Sequence, residues 1–143
     1  YTIAWGSDIS EKGFTRDGIG IMPEEKPKAA VGSDQERWVG KAADQPKDEV
    51  KAELPAEVVY TQEMRQDGYD RKTTTDDHGM HIYGLAKDQN GTKYFMVKNS
   101  WGETGKYKGI WYASEAFVRA KTLNIVVHKD ALPKDIKKKL GIK

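Results

Sequence analysis

Two alternating runs on either side of Asp88-Gln89-Asn90-Gly91 constrain this chain most. From His78 to Ala86, His78, Met80 and Ile82 share one parity while His81, Tyr83 and Leu85 share the other, the two-residue period of a strand. Tyr94, Phe95, Met96 and Val97 supply a return strand. Asn-Gly favours a tight turn whose two central residues both take positive φ. The prediction is an antiparallel hairpin with His78 in one arm and Asn99 at the end of the other. The two residues are 21 apart with one turn between them, so the chain brings both back to the same end.

That placement gives the pair chemical meaning. Histidine takes and returns a proton near neutrality. An asparagine amide can accept from one ring nitrogen, fixing tautomer and orientation while the other nitrogen stays free. Each alone has an ordinary reading, a strand histidine and a turn asparagine; their meeting at one end of a hairpin is uncommon by chance. Asp77 would support an imidazolium if the geometry joins them. Trp101 serves either as core or as a cover over the pair. His81 has the opposite parity, so it is read as structural, and a metal site from His78 and His81 is disfavoured. No metal or cofactor is expected.

The rest of the chain reads as one domain of 143 residues, long enough for a real core. Ile3, Trp5 and Ile9 suggest a half-buried strand, and Gly13, Gly18 and Gly20 loosen the chain into turns. Residues 22–57 hold four of the five prolines among Lys, Glu, Asp and Ala, and are read as a surface insertion anchored by Trp38 and Val39. Thr61 is expected to cap a helix running to about Tyr69. Gly102, Gly105 and Gly109 mark a loop, followed by a strand at 110–113 and a helical turn at 115–120. Leu123, Ile125 and Val127 alternate as a last strand. In the tail, 130–143, Pro133 suits the first position of a helix ending before Gly141. No internal repeat is found. The sum is an α+β domain dominated by an antiparallel sheet.

Composition excludes more than it assigns. There is no cysteine, so no disulfide, thiolate metal site or cysteine nucleophile lies within these residues. Net charge is +2, from 24 basic and 22 acidic residues, which gives no case for nucleic acid. The basic tail, with Lys134, Lys137, Lys138, Lys139 and Lys143, is the local exception and is read as a solvated helix end. No apolar run approaches the roughly 20 residues of a membrane span, and no leader pattern is present. Tyr1-Thr2-Ile3-Ala4-Trp5 reads like the middle of a strand, so a cut or processed chain is the expectation.

Asp77-His78-Gly79-Met80 followed by Val97-Lys98-Asn99-Ser100-Trp101-Gly102 resembles the His and Asn segments of papain-like cysteine peptidases. Trp101-Gly102-Glu103-Thr104-Gly105-Lys106-Tyr107-Lys108-Gly109 resembles the linker of bleomycin hydrolases and aminopeptidases C. Ala4-Trp5-Gly6-Ser7-Asp8-Ile9 is similar to their upstream strand, with serine where many members have a non-catalytic cysteine. Asn124-Ile125-Val126-Val127-His128-Lys129 is similar to their closing strand. The resemblance implies the C-terminal sheet or barrel lobe of a papain-like fold, with short helices. It implies His78 as general acid/base, Asn99 as its orienter and Trp101 as an indole shield. It also implies a nucleophilic cysteine on a helix N-terminus in a missing N-terminal lobe, an upstream Gln at the oxyanion, and a peptide substrate. The terminal carboxylate of Lys143 would hold a substrate's amino group, although the tail sequence departs from the family's. A homohexamer in the cytoplasm is implied as well, export being the alternative. A non-catalytic peptide-binding module derived from that lobe is the competing function.

Overall fold

The computed structural model describes residues 1–24 and 54–143. Six strands form one sheet: β1 Ile3–Ser7, β2 Ile19–Gly20, β3 His78–Lys87, β4 Lys93–Lys98, β5 Ile110–Ser114 and β6 Thr122–Val127. The order is β2-β5-β4-β3-β1-β6, so β2 and β6 are its edges and the sheet is open rather than closed into a barrel. All neighbours run antiparallel except β2 beside β5. Three short helices, α1 Gln62–Asp70, α2 Glu115–Lys121 and α3 Lys134–Leu140, complete an α+β domain.

The core lies on one face of the sheet. Ile3 pairs with Ile82, Ile82 with Val97 and Val97 with Trp111, so successive strands point these side chains the same way. Trp5, Val97, Trp111 and, from α2, Phe117 are almost wholly buried together. Full burial of such side chains stabilises by about 1.5–3 kcal/mol each. The two indoles also satisfy their N–H groups. Trp5 Nε1 donates to Thr122 Oγ1 at 2.7 Å, and Trp111 Nε1 to the Thr15 carbonyl at 2.9 Å. Ser114 ends β5 and caps α2 by accepting from the Phe117 amide at 3.0 Å. Its hydroxyl donates in turn to Glu57, whose carboxylate also takes the Met22 amide at 2.8 Å.

Those contacts close the ends of the proline-rich segment on each other. Pro23 bridges Glu57, and the Glu24 amide donates to the Ala56 carbonyl at 2.9 Å. Trp38 and Val39, expected as its anchor, lie outside the described residues.

Several expectations need correction. The hairpin forms, but its turn is not the two-residue kind with two positive φ values, because only Gly91 (φ 85°) is left-handed. Gly91 donates to the Asp88 carbonyl and Asp88 to that of Thr92, both at 3.1 Å, closing a three-residue loop. The Asp88 carboxylate holds the Asn90 and Thr92 amides at 2.8 and 2.9 Å.

A bulge between Ile82 and Gly84 shifts the register of β3 on β4 by one residue, which the alternation alone does not predict. The extra residue, Tyr83, is left without a partner on β4. Past the bulge Leu85 pairs with Phe95, yet it stays 75% exposed, on the outward side with His81 and Tyr83 as the alternation predicts. The turns predicted around Gly18 and Gly20 include the short strand β2. The last strand forms, yet Ile125 and Val126 are both exposed, because β6 has a neighbour on one side only. Pro133 stands one position earlier than expected, as the cap before α3, and Gly141 ends that helix in the left-handed region.

Candidate active site

The ladder between β1 and β3 ends on the pair Ser7 and His78, so His78 stands where the sheet's regular bonding stops. Asn99 follows β4 and is pinned by its amide, which donates to the Gly109 carbonyl at 3.1 Å. The 99–109 loop folds tightly enough that a Cβ on Gly109 (φ 81°) would sit 2.0 Å from the Gly102 carbonyl oxygen. Only glycine fits there.

The hairpin brings the two side chains together: His78 Nε2 and Asn99 Oδ1 are 2.8 Å apart. The same Oδ1 accepts from the Ser100 amide at 2.7 Å. An amide N–H needs an acceptor, so this second bond fixes which end of the Asn99 side chain faces the ring. Nε2 must then carry the proton, and Nδ1 of neutral His78 keeps a free lone pair. That is the arrangement a general base requires. Asn99 is buried, and its Nδ2 has no hydrogen-bond partner among the described residues.

Trp101 lies beside the imidazole, with ring centroids 5.2 Å apart and planes 47° apart. Its other neighbours are Phe14 and Trp111, both edge-on, at 6.4 and 5.4 Å. The indole is 45% exposed, so it joins the core at one edge and faces solvent with the rest. Phe14, stacked on Trp111 at 5.8 Å, is the support that the sequence did not single out. A lone Phe in a glycine-rich loop carries no periodic signal.

Other named residues sit apart from the pair. Asp77 does not support the imidazole as expected; its Oδ1 accepts from the Ile9 amide at 3.0 Å. His81 is exposed and pairs with Ala4 and Lys98 across the sheet, on the face opposite His78. Lys143 is exposed beyond α3, and among the described residues no hydrogen bond or ion pair joins it to His78 or Asn99. No group of three or more His, Cys, Asp or Glu suited to a metal occurs among the described residues. No helix among them is long and apolar enough to cross a membrane.

A second buried polar group lies just before His78. Asp8, Thr74 and Lys121 are all buried. Asp8 Oδ1 accepts from the Ser10 amide at 2.9 Å and the Ser10 hydroxyl at 2.6 Å, and Oδ2 from the Thr75 amide at 2.8 Å. Burial opposes ionisation of Asp8, but these donors and the Lys121 charge outweigh it and hold the carboxyl below its usual range. Lys121 Nζ donates to Thr74 Oγ1 at 2.9 Å and pairs with Glu11.

Known proteins share sequence and fold with this chain. The sequence matches the Peptidase C1-like family over residues 53–142, a stretch that includes His78, Asn99, Trp101 and most of the tail. It is 38% identical over 63 residues to Aminopeptidase C of Lactobacillus helveticus, covering 43% of this chain and 14% of that protein. Aminopeptidase G of Lactobacillus delbrueckii subsp. lactis is 33% identical over 58 residues, 41% of this chain and 13% of that one. Thiol protease SEN102 of Hemerocallis is 59% identical over 27 residues, 19% of this chain and 8% of that one. The chain thus spans about one seventh of the length of the two aminopeptidases. Among solved structures, PepW from Lactobacillus rhamnosis aligns with a TM-score of 0.56 at 20% identity, covering 96% of this chain and 26% of PepW. Matched over well more than half its length, and with a papain-like α+β sheet beneath the match, this chain belongs to the Peptidase C1-like family.

Proposed function

We propose that the chain supplies the histidine and asparagine of a cysteine-type aminopeptidase whose nucleophilic cysteine lies on a segment outside this sequence. The observation that carries this reading is the His78 Nε2 to Asn99 Oδ1 contact at 2.8 Å, which leaves Nδ1 free. A thiol of ordinary pKa is mostly protonated at neutral pH, and a neighbouring imidazolium favours the thiolate. Thiolate attack on the peptide carbonyl forms a C–S bond. The proton held on His78 Nδ1 passes to the leaving amine as the C–N bond breaks. Water then attacks the acyl-sulfur bond, with Nδ1 taking its proton, and the thiol and acid are released. Asn99 keeps the ring turned for both transfers, and Trp101 limits water on one side of it.

The same reading includes a homo-oligomer, hexameric by family resemblance, and a cytoplasmic setting with export as the alternative. The Lys143 carboxylate remains the proposed anchor for a substrate amine, reached by movement of the tail.

Hydrolysis of fluorogenic aminoacyl amides by the full-length gene product tests the proposal. Thiol-dependent activity that disappears in His78→Ala supports it, as does a dead isolated chain. A full-length product with no cysteine opposite His78 sinks it. The absence of cysteine from the chain favours one second reading, a peptide-binding module without catalysis. Peptide binding by the full-length protein without turnover would select that reading.

A further inference from the structure

We propose that Asp8 is the positioning residue for His78, acting through the peptide segment that delivers it. The inference deepens the peptidase reading and borrows from it only the identity of His78 as the proton carrier. Asp8 touches neither the imidazole nor Asn99. Its effect comes from where the sheet ends.

The β1–β3 ladder stops at Ser7 and His78, and the two chains then diverge. Residues 75–77 have no regular backbone partners of their own among the described residues. Two carboxylates replace the ladder there in reciprocal fashion. Asp8, one residue past β1, takes the Thr75 amide at 2.8 Å, and Asp77, one residue before β3, takes the Ile9 amide at 3.0 Å. The two bonds cross between the same two segments.

Asp8 is the buried member of this clasp, 1% exposed, and its other oxygen is fixed by the Ser10 amide and hydroxyl. Its own amide donates to the Lys121 carbonyl at 3.0 Å, tying it to the end of α2. Lys121 in turn grips Thr74 through Nζ at 2.9 Å. The segment before His78 is therefore tied to the core at Thr74 and Thr75. The imidazole, by contrast, has a single hydrogen bond of its own among the described residues, to Asn99. A small rotation of the 75–77 peptides swings the ring about that one contact. A geometry held by one bond depends on its backbone support.

Three acceptor demands meet on Asp8, from the Thr75 amide, the Ser10 amide and the Ser10 hydroxyl. An asparagine of the same shape has one acceptor oxygen, so Asp8→Asn must turn an NH₂ group toward a donor. That variant keeps the volume and weakens the buried member of the clasp, leaving the Asp77 bond to the Ile9 amide in place.

The test uses the chain labelled with ¹⁵N at histidine, read by nuclear magnetic resonance. In the unaltered chain His78 is expected as the Nε2–H tautomer, with a slowly exchanging ring proton. In Asp8→Asn that exchange is expected to accelerate by about tenfold, as for losing one buried hydrogen bond of ordinary strength. The His78 ring nitrogens shift toward a tautomer mixture, while His81 and His128 keep their signals. Asp8→Ala gives the same pattern, and Ser10→Ala, which removes one of three donors, a weaker one. A folded Asp8→Asn or Asp8→Ala with unchanged His78 signals overturns the proposal. So does global unfolding of Asp8→Asn, which would make the carboxylate a general structural element. Lack of peptidase activity in the full-length protein would defeat the catalytic reading and leave these signals as they are, so the two failures are distinguishable.

Discussion

The two ends of the β3–β4 hairpin are both built by carboxylates that capture backbone amides, and they differ in reach. At the turn, Asp88 holds the amides of Asn90 and Thr92, two and four residues away. At the open end, Asp8 holds Thr75 across 67 residues and Asp77 holds Ile9 across 68. The turn is a local device that closes itself. The open end exists only once β1, the 74–77 segment and α2 have assembled, and it is the end that carries His78 and Asn99. Placing the His78–Asn99 pair there couples its geometry to the cooperative core.

Substitutions at matched positions sharpen this contrast. The largest effect is expected from His78→Ala in the full-length protein, a loss in kcat/KM of about 10³-fold or more. Asp88→Ala, at the other end, should leave that rate unchanged. Thermal melting of both variants checks that the first loss is chemical.

Next come the two glycines. Gly109→Ala adds a positive-φ strain of about 1–2 kcal/mol to a collision with the Gly102 carbonyl, and the loop must open to relieve it. Because Gly109 anchors the Asn99 amide, stability and activity should fall together. Gly91→Ala meets nothing within 4 Å, so only the backbone strain applies. It should lower stability by about 1 kcal/mol and spare activity. Urea unfolding with parallel assays would show whether the two glycines behave differently; equal effects would break the comparison.

Asp88→Ala itself should cost about 1 kcal/mol, read in the same unfolding curves. The smallest effect is a pH dependence. The Asp8 carboxyl is held below its ordinary value near 3.8, so its folded state binds protons less readily than the unfolded one. Its stabilisation is then fully present above that value and is lost as pH falls through the lowered folded pKa. Asp8→Asn should flatten this acid arm relative to the unaltered chain, as seen by the unfolding midpoint between about pH 5 and 2. An unchanged slope would show that Asp8 is not the group responsible.

The sequence made the local devices legible. Thr61 accepts from the Met64 amide at 3.2 Å and starts α1 as expected. The glycine-rich loop closes on Gly109, and Gly141 ends α3. The hairpin and the meeting of His78 with Asn99 were readable because strand period and one turn suffice to place them. The bulge at Tyr83 was not readable, since an extra residue in one strand is defined only against its partner. The same holds for β2, whose two residues become a strand only by lying beside Tyr112 and Ala113. Phe14 beneath Trp101 had no pattern to announce it.

The sequence by itself determined the strands other than β2, the Thr61 cap, the proximity of His78 to Asn99 and the absence of a nucleophilic thiol within these 143 residues. Those features depend on contacts between residues close in the chain, or joined by one turn. Only the tertiary structure decided which ring nitrogen of His78 is free, what lies beneath Trp101, and that Asp8 and Lys121 grip the segment before His78. Those follow from hydrogen bonds and packing between segments far apart in the chain. Such contacts form only when the core has excluded water, and no local pattern encodes them.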